Sequence, residues 1–302
     1  KVTYFFETPP MKIILFSRPL VAQTPDEIRR LFEAVRHYGS DYAVNEEFAP
    51  LVEEAVGQPL PPEKIYRQHV GQQPPQTVMV CYGGDGTLLE GVHRLCGAPI
   101  PVMGINAGHL GFLTSAPKAG LDQLFERIAE GDLQTESRSL LRVEGDFQQQ
   151  PDTHLALNEF TVQRQGAGMI SVETYVDGQM VATYHGDGVI VSTPTGSTAY
   201  SLSAGGPVVA PTCQCLVLSP LAPHNLTMRP VVIPDSSRIT LHVQARRSEA
   251  FVTLDNRNYP VSHGATFSVQ RAEETIFLAV PHNISFYDTL RDKMMWGIDI
   301  RS

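Results

Sequence analysis

Thr77–Leu95 reads TVMVCYGGDGTLLEGVHRL. Thr77 to Tyr82 form a continuous apolar run, the pattern of a strand covered on both faces in a parallel sheet. The segment after Gly86 continues as a helix. Between the two stands Gly83-Gly84-Asp85-Gly86-Thr87. Its glycines permit positive φ and close backbone approach to a ligand, and free N–H groups at a helix N-terminus suit a phosphate. Asp85 is an acid among anion-friendly amides. It fits there if it meets a hydroxyl to be deprotonated, or a Mg²⁺ that accompanies phosphates. The plainer reading is a tight turn with a solvated acid.

Outward from this turn, strand and helix alternate. Lys12 to Ser17 is a short apolar strand. Thr24-Pro25-Asp26-Glu27 opens a helix with an N-cap, a first-turn proline and an acid at the third position. Ile28, Leu31, Phe32 and Val35 give it one buried face, and Gly39 stops it. Residues 46–56 suggest a weaker helix, Pro101 to Ile105 a strand, and Leu121, Leu124, Phe125 and Ile128 a further helix before Gly131. The pattern predicts an open, Rossmann-like or flavodoxin-like parallel sheet over residues 11–136.

From Arg138 the rhythm changes. Ser139–Val143, Leu155–Gln163 and Ser171–Tyr184 read as strands, the last folded into a hairpin at Asp177-Gly178. VVIP, RITLHVQ, AFVTLD, ATFSV and TIFLAV follow, so residues 137–281 are expected to form a mostly antiparallel β domain. Phe286 to Trp296 turns helical again, with Phe286, Leu290 and Met294 on one face. Residues 282–302 are therefore expected to return and pack on the α/β domain.

At 302 residues, the chain has room for two cores. A net charge of −9 argues against nucleic acid as the main partner. No apolar run approaches the ~18 residues of a membrane span, and no signal peptide opens the chain, so no membrane role and a cytoplasmic location are expected. Residues 1–10 precede Met11 and carry little weight. The four cysteines, Cys81, Cys96, Cys213 and Cys215, lack zinc-site spacing and read as thiols in a reducing compartment. The ten histidines show no HExxH-like spacing, and no metal held by protein side chains is expected.

A second unusual stretch is TPTGSTAYSLSAGGP, Thr193 to Pro207, entered through Gly186-Asp187-Gly188 and an apolar strand. It is uncharged and almost wholly small, unsuited to a core strand and too rich in Gly and Ser for an ordinary helix. The usual nucleotide motifs are missing. There is no GxxxxGK[ST], no GxGxxG opening a βαβ unit, no protein-kinase set and no GxSxG.

GGDGT after an apolar strand resembles the signature of NAD kinases, diacylglycerol and sphingosine kinases and, more distantly, phosphofructokinases. The rest of the chain resembles the NAD kinase family specifically. Gly104–Leu113 (GINAGHLGFL) is similar to its GxNxGxLGFL element, Asn158-Glu159 to its NE motif, and Gly186–Gly188 with Thr193–Pro207 to its longest motif. Pro223–Leu226 with Arg229–Val232, and Thr289–Gly297, resemble its two later segments. The order is kept from about residue 12 to 298.

The resemblance implies phosphoryl transfer from ATP, or another triphosphate or polyphosphate, to the 2′-hydroxyl of the adenosine ribose of NAD. Asp85 would be the base or hydroxyl orienter. Gly83, Gly84, Gly86 and Thr87 would hold phosphates, with Mg²⁺ or another divalent cation carried by ATP. Asn158, Thr198 and Ala199 would line the adenine pocket with Tyr200 nearby, Thr195 would be a further NAD contact, and Glu159 would take a ribose hydroxyl pair. Asp187 and Ser203 would reach the nicotinamide end from a neighbouring subunit of a homodimer or homotetramer. His109 and Phe112 would line the cleft, and His185 and Asn256 would add contacts. Small hydroxyls and bare amides suit such a ligand, because an unmade buried hydrogen bond costs roughly 1–3 kcal/mol and so discriminates.

Two departures stand out. His185 replaces an Arg found in some relatives, and Leu254-Asp255-Asn256-Arg257 replaces an Asp-Gly-Gln or a His. Both touch expected ribose and phosphate contacts. The alternatives are a GGDGT lipid kinase, which would need a membrane-facing surface, and an NADP(H)-sensing binding protein, which would not need Asp85.

Overall fold

The computed structural model describes residues 11–19, 23–107, 111–114, 116–117, 120–130, 132, 134–245, 249–280 and 285–296. The chain divides into two compact units, Lys1–Glu136 with Phe277–Ser302, and Ser137–Ile276. Among the described residues no helix is long and apolar enough to cross a membrane, and no disulfide joins the cysteines.

The first unit runs β1 (Lys12–Ser17), α1 (Pro25–Tyr38), β2 (Asp41–Asn45), α2 (Ala49–Val56), β3 (Ile65–Tyr66), β4 (Thr77–Gly83), α3 (Asp85–Leu95), β5 (Val102–Asn106), β6 (Ala116–Pro117) and α4 (Leu121–Glu130). The strands lie in the order β3-β2-β1-β4-β5, all parallel. Every residue of β4 is buried, as its unbroken apolar run requires. Chain order reverses between β1 and β4, and ligands in open parallel sheets bind outside the strand ends at such a switch point. The GGDGT turn stands at that position.

α1 forms where its capping signals fall. Thr24 Oγ1 accepts the Glu27 amide, and Glu27 reaches back to the Thr24 amide. Ile28, Leu31, Phe32 and Val35 are buried, each worth at most about 1.5–3 kcal/mol of transfer free energy. Gly39 closes the helix in an extended conformation, with φ −85°. A glycine is needed there for room, because a Cβ would lie 2.7 Å from the Val35 carbonyl. The sequence reading missed β2 and opened α2 too early. Asp41–Tyr42–Ala43 are only half-buried, so the run lacks the apolar signal of a central strand.

The second unit holds β7 (Gln134–Gly145), β8 (Leu155–Ala156), β9 (Glu159–Gln165), β10 (Ile170–Val176), β11 (Gln179–Gly186), β12 (Gly188–Ser192), a 3₁₀ turn (Thr195–Thr198), α5 (Tyr200–Ser203), β13 (Cys215–Leu221), β14 (Val231–Pro234), β15 (Ile239–Gln244), β16 (Glu249–Leu254), β17 (Arg257–Val261) and the 15-residue β18 (Thr266–Val280). One antiparallel sheet runs β14-β13-β12-β9-β16-β17, and another contains β11-β10-β15-β18 with β7 and β8. Phe160, Val162, Val189 and Val252 of one share a core with Val172, Leu241 and Phe267 of the other. The unit is therefore a β-sandwich. The predicted hairpin turns at Asp177 and Gly178, both at positive φ (50° and 77°), as a two-residue primed turn demands.

β18 fuses the separately predicted ATFSV and TIFLAV. Its end, Leu278–Ala279, pairs in parallel with β5 within the first unit. α6 (Phe286–Met294) follows, capped by Ser285, and its Phe286 ring lies 6.4 Å from that of Phe112. The C-terminal helix thus packs in the α/β unit. The architecture is the expected one: a parallel α/β domain, a mostly antiparallel β domain and a returning helix.

Candidate active site

In the first unit, α3 begins at Asp85, two residues earlier than read from the sequence, with Gly84 as an N-cap that has no side-chain bond. The carboxylate of Asp85 is held by the loop after β5. Oδ2 accepts the Phe112 amide at 2.8 Å. Oδ1 accepts the Leu113 amide at 3.1 Å, the Thr114 amide at 3.0 Å and the Thr114 hydroxyl at 2.9 Å. Oδ1 is saturated; Oδ2 keeps a lone pair. The half-buried acid is fixed in place by Phe112, Leu113 and Thr114. Gly111 belongs to the same construction, because a Cβ there would fall 1.8 Å from Asp85 Oδ1.

The amides of Asp85 and Gly86 bond no described residue, as first-turn amides do until a ligand arrives. A Cβ on Gly84 would meet nothing within 4 Å, so that side is open. Gly83 provides room for Thr87, whose Oγ1 would be 2.4 Å from a Cβ. Thr87 itself is buried, and its amide donates to Gly84 O at 2.9 Å. It packs the turn. Arg18, which the sequence reading missed, follows the end of β1. Its Nη2 is 3.7 Å from where a Gly86 Cβ would stand, and its Nη1 pairs with Glu90 at 2.9 Å. His109 lies outside the described residues.

In the second unit, the break between β8 and β9 carries Asn158 and Glu159, both buried. Asn158 Oδ1, Glu159 Oε2 and Ser192 Oγ are buried without a hydrogen bond to any described residue. Buried polar atoms are normally paired, which sets these three apart from most of the buried polar groups around them. Burial first, and the neighbouring Asp255 carboxylate second, push the Glu159 carboxyl up to about 8, against a backbone bond from Tyr200.

The small-residue stretch wraps this bend. Thr193 N donates to Asn158 O at 2.9 Å, and Thr193 Oγ1 donates to Leu157 O at 2.6 Å. Gly196 lies against the Asn158 backbone, where a Cβ would be 2.1 Å from its carbonyl oxygen. The stretch is more helical than its composition suggests, because its hydroxyls bond to the backbone of two short turns. Thr193 Oγ1 accepts Gly196 N at 3.1 Å, and Thr198 Oγ1 donates to Thr195 O at 3.3 Å. Thr195 is buried, Thr198 and Ala199 half-buried, and Ser203 exposed. Tyr200 is 39% exposed, available for contact and not part of the core.

Asp187 is engaged by Arg164, with Nε 2.5 Å and Nη2 3.3 Å from its two carboxylate oxygens. His185 is exposed and bonds Ser171 Oγ at 2.7 Å, in the β10–β11 ladder and apart from the Asn158–Glu159 bend. Asn256 is exposed at the tip of the β16–β17 turn. Asp255, beside it, received no role from the sequence, yet its carboxylate accepts the amides of Leu157, Asn158 and Glu159.

A parallel α/β sheet with an acid on a glycine-rich strand-to-helix turn, joined in one chain to a β-sandwich whose buried Asn158–Glu159 bend is wrapped by a small-residue stretch, is the organisation of a nucleotide-directed phosphotransferase. A family model described as ATP-NAD kinase N-terminal domain matches residues 63–133, and one described as ATP-NAD kinase C-terminal domain matches residues 157–280. An NAD kinase of Bacteroides fragilis is 33% identical over 292 residues, covering 96% of this chain and all of that protein. An NAD kinase from Archaeoglobus fulgidus, solved in complex with ATP, superposes with TM-score 0.71 at 25% identity, covering 94% of this chain and 98% of that one. Yeast NADH kinase complexed with NADH superposes with TM-score 0.81 at 22% identity, covering 98% and 90%, a likeness of fold. The chain belongs to the NAD kinase family. The lipid-kinase alternative finds no support in these relatives.

Proposed function

We propose that the chain transfers the terminal phosphoryl group of ATP to the 2′-hydroxyl of the adenosine ribose of NAD, giving NADP and ADP. The observation that carries the mechanism is the Asp85 carboxylate, fixed on a phosphate-ready turn with Oδ2 still able to accept. The ribose hydroxyl gives its proton to Oδ2 as its oxygen attacks the γ-phosphorus and ADP leaves. The amides of Asp85 and Gly86 hold triphosphate oxygens, with Gly83 and Gly84 providing room and Arg18 a nearby positive charge.

A divalent cation fits this turn as a companion of the triphosphate. Asp85 is the only carboxylate in GGDGT, and among the described residues no group of three acidic, His or Cys side chains gathers to hold a metal. Phosphate oxygens and water would hold such a Mg²⁺, which supplies charge neutralisation.

Asn158, Thr195, Thr198 and Ala199, with Tyr200, would take the adenosine end, and Glu159 the ribose hydroxyl pair. Asp187 and Ser203 would serve the nicotinamide end of a neighbouring copy in a homodimer or homotetramer. Phe112, His109, His185 and Asn256 would complete the contacts. In this reading residues 11–136 form the donor domain, 137–281 the dinucleotide and self-association domain, and 282–302 the helix that supports the first, in a cytoplasmic enzyme. Purified protein given NAD, ATP and Mg²⁺ should form NADP, detected with an NADP-specific dehydrogenase, and omission of ATP or Mg²⁺ should abolish it. No NADP formation, with ATP or with polyphosphate as donor, would overturn the reading. Light scattering on the active species tests the oligomer.

A further inference from the structure

The turn joining β16 to β17 grips the Asn158–Glu159 bend from two sides. Asp255 Oδ1 accepts the Asn158 amide at 2.7 Å and the Glu159 amide at 3.2 Å, while Oδ2 accepts the Leu157 amide at 2.9 Å. The Asp255 amide donates in return to Glu159 O at 2.9 Å. Two residues on, Arg257 Nη1 donates to Thr153 O at 3.0 Å and Nη2 to Leu155 O at 2.5 Å. The strand leading into the bend is thus held through its carbonyls and the bend itself through its amides.

This arrangement answers a backbone problem. Breaking the strand between β8 and β9 leaves three consecutive N–H groups in a buried place, where each needs an acceptor. A carboxylate satisfies all three with charge-assisted bonds, which a neutral acceptor would not match. Asp255 sits at φ 52°, a left-handed conformation that Asp and Asn tolerate better than other side chains. Oδ1 takes two amides of the bend and Oδ2 a third, so the effect of Asp255 on a ligand runs through Asn158 and Glu159.

We propose that Asp255, assisted by Arg257, is a positioning residue for dinucleotide recognition: it fixes the bend so that Asn158 Oδ1 and Glu159 Oε2 stand buried and unbonded, ready for the acceptor substrate. The proposal rests on the reading of Asn158 and Glu159 as NAD contacts.

Steady-state kinetics on the full chain, with NAD and ATP varied separately and thermal melts alongside, provide the test. Asp255→Ala should raise KM for NAD by about 10-fold or more, the scale of one or two misplaced hydrogen bonds, and leave kcat and KM for ATP within about 2-fold. Asp255→Asn keeps the turn and one acceptor oxygen but sets an NH₂ against the remaining amide, so it should recover part of the loss, with KM for NAD between those of the parent and of Asp255→Ala. Asn158→Ala should cost less in the Asp255→Ala background than alone, because the two act through one bend.

KM values for NAD and ATP rising together, full additivity with Asn158→Ala, or no recovery in Asp255→Asn would each overturn the proposal and leave a plain staple of the fold. If Asp255→Ala does not fold, Asp255→Asn decides by the same KM split and the same cycle. If Asn158→Ala alone raises KM for NAD while both Asp255 variants leave it unchanged, only this proposal falls. If Asn158→Ala and Glu159→Gln both keep the parent KM for NAD, the underlying assignment of the contacts falls and takes the proposal with it.

Discussion

The Cβ that Gly111 lacks would lie 1.8 Å from Asp85 Oδ1. The loop after β5 can wrap the carboxylate only because position 111 has no side chain. The amides of Phe112, Leu113 and Thr114 then converge on a single acid.

Asp85→Asn should lower kcat by ~10²-fold or more while NAD binding stays within a few-fold, the usual effect of losing a positioned proton acceptor. The amide NH₂ would also oppose the N–H groups that now point at the carboxylate. Single-turnover kinetics with titrated NAD binding separates these outcomes, and near-parental turnover would end the general-base assignment.

Gly111→Ala should produce much of the same loss without touching the acid. The methyl must displace Asp85 or the loop, at a cost of about 1–3 kcal/mol in stability. The expected result is a lower Tm together with a kcat reduced by ~10-fold or more, since small misplacements of a reacting group are costly. Parental kcat in a folded variant would show that the loop does not aim Asp85.

Arg18→Ala should raise KM for ATP by roughly 5- to 10-fold, the worth of one charge-assisted contact to phosphate in a partly exposed place. KM for NAD should hardly move. Separate titrations of the two substrates check the assignment, and the opposite selectivity would remove Arg18 from the donor side.

Gly196→Ala should weaken NAD. A Cβ there meets Asn158 O at 2.1 Å and the Asn158 Cα at 2.8 Å, so the bend must shift. A rise in KM for NAD of about 10-fold, with KM for ATP near the parent value, is expected.

The Glu159 carboxyl, pushed up to about 8 by burial and by Asp255, makes stability depend on pH in a definite direction. The unfolded chain releases this proton near pH 4.5, while the folded chain retains it until about pH 8. The folded state therefore binds more protons in between, and this group's contribution to stability falls as pH rises through that window and then levels off. Glu159→Gln should flatten the fall, which is of the order of a few kcal/mol. Denaturant melts of both proteins near the two ends of the window provide the comparison. Equal slopes for the two would contradict it.

Local signals explain what the sequence alone disclosed. Thr24 with Glu27, the apolar run of β4 and Asp177-Gly178 each fix their elements through neighbours a few residues away, and each element formed where it was read. Asp85, Asn158 and Glu159 stood out by motif resemblance. Asp255 and Arg18 did not, because their roles depend on partners far along the chain. Asp255 reads as an ordinary turn residue until the Leu157 amide, 98 positions away, arrives at its carboxylate. β2 was missed for the complementary reason, that the packing which makes it a strand is tertiary.

The long strand β18 and the helix α6 have a consequence for synthesis. The unit that holds GGDGT is completed by residues 277–302, and Phe286 packs on Phe112, whose own amide holds Asp85. A nascent chain translated through the whole β-sandwich still lacks this support for its catalytic turn. At about 5–20 residues per second, the roughly 200 residues that separate the turn from Phe286 take about 10–40 s to translate, and the turn waits that long for the rest of its setting. Order of manufacture thus delays the full setting of the Asp85 turn until the β-sandwich is already made.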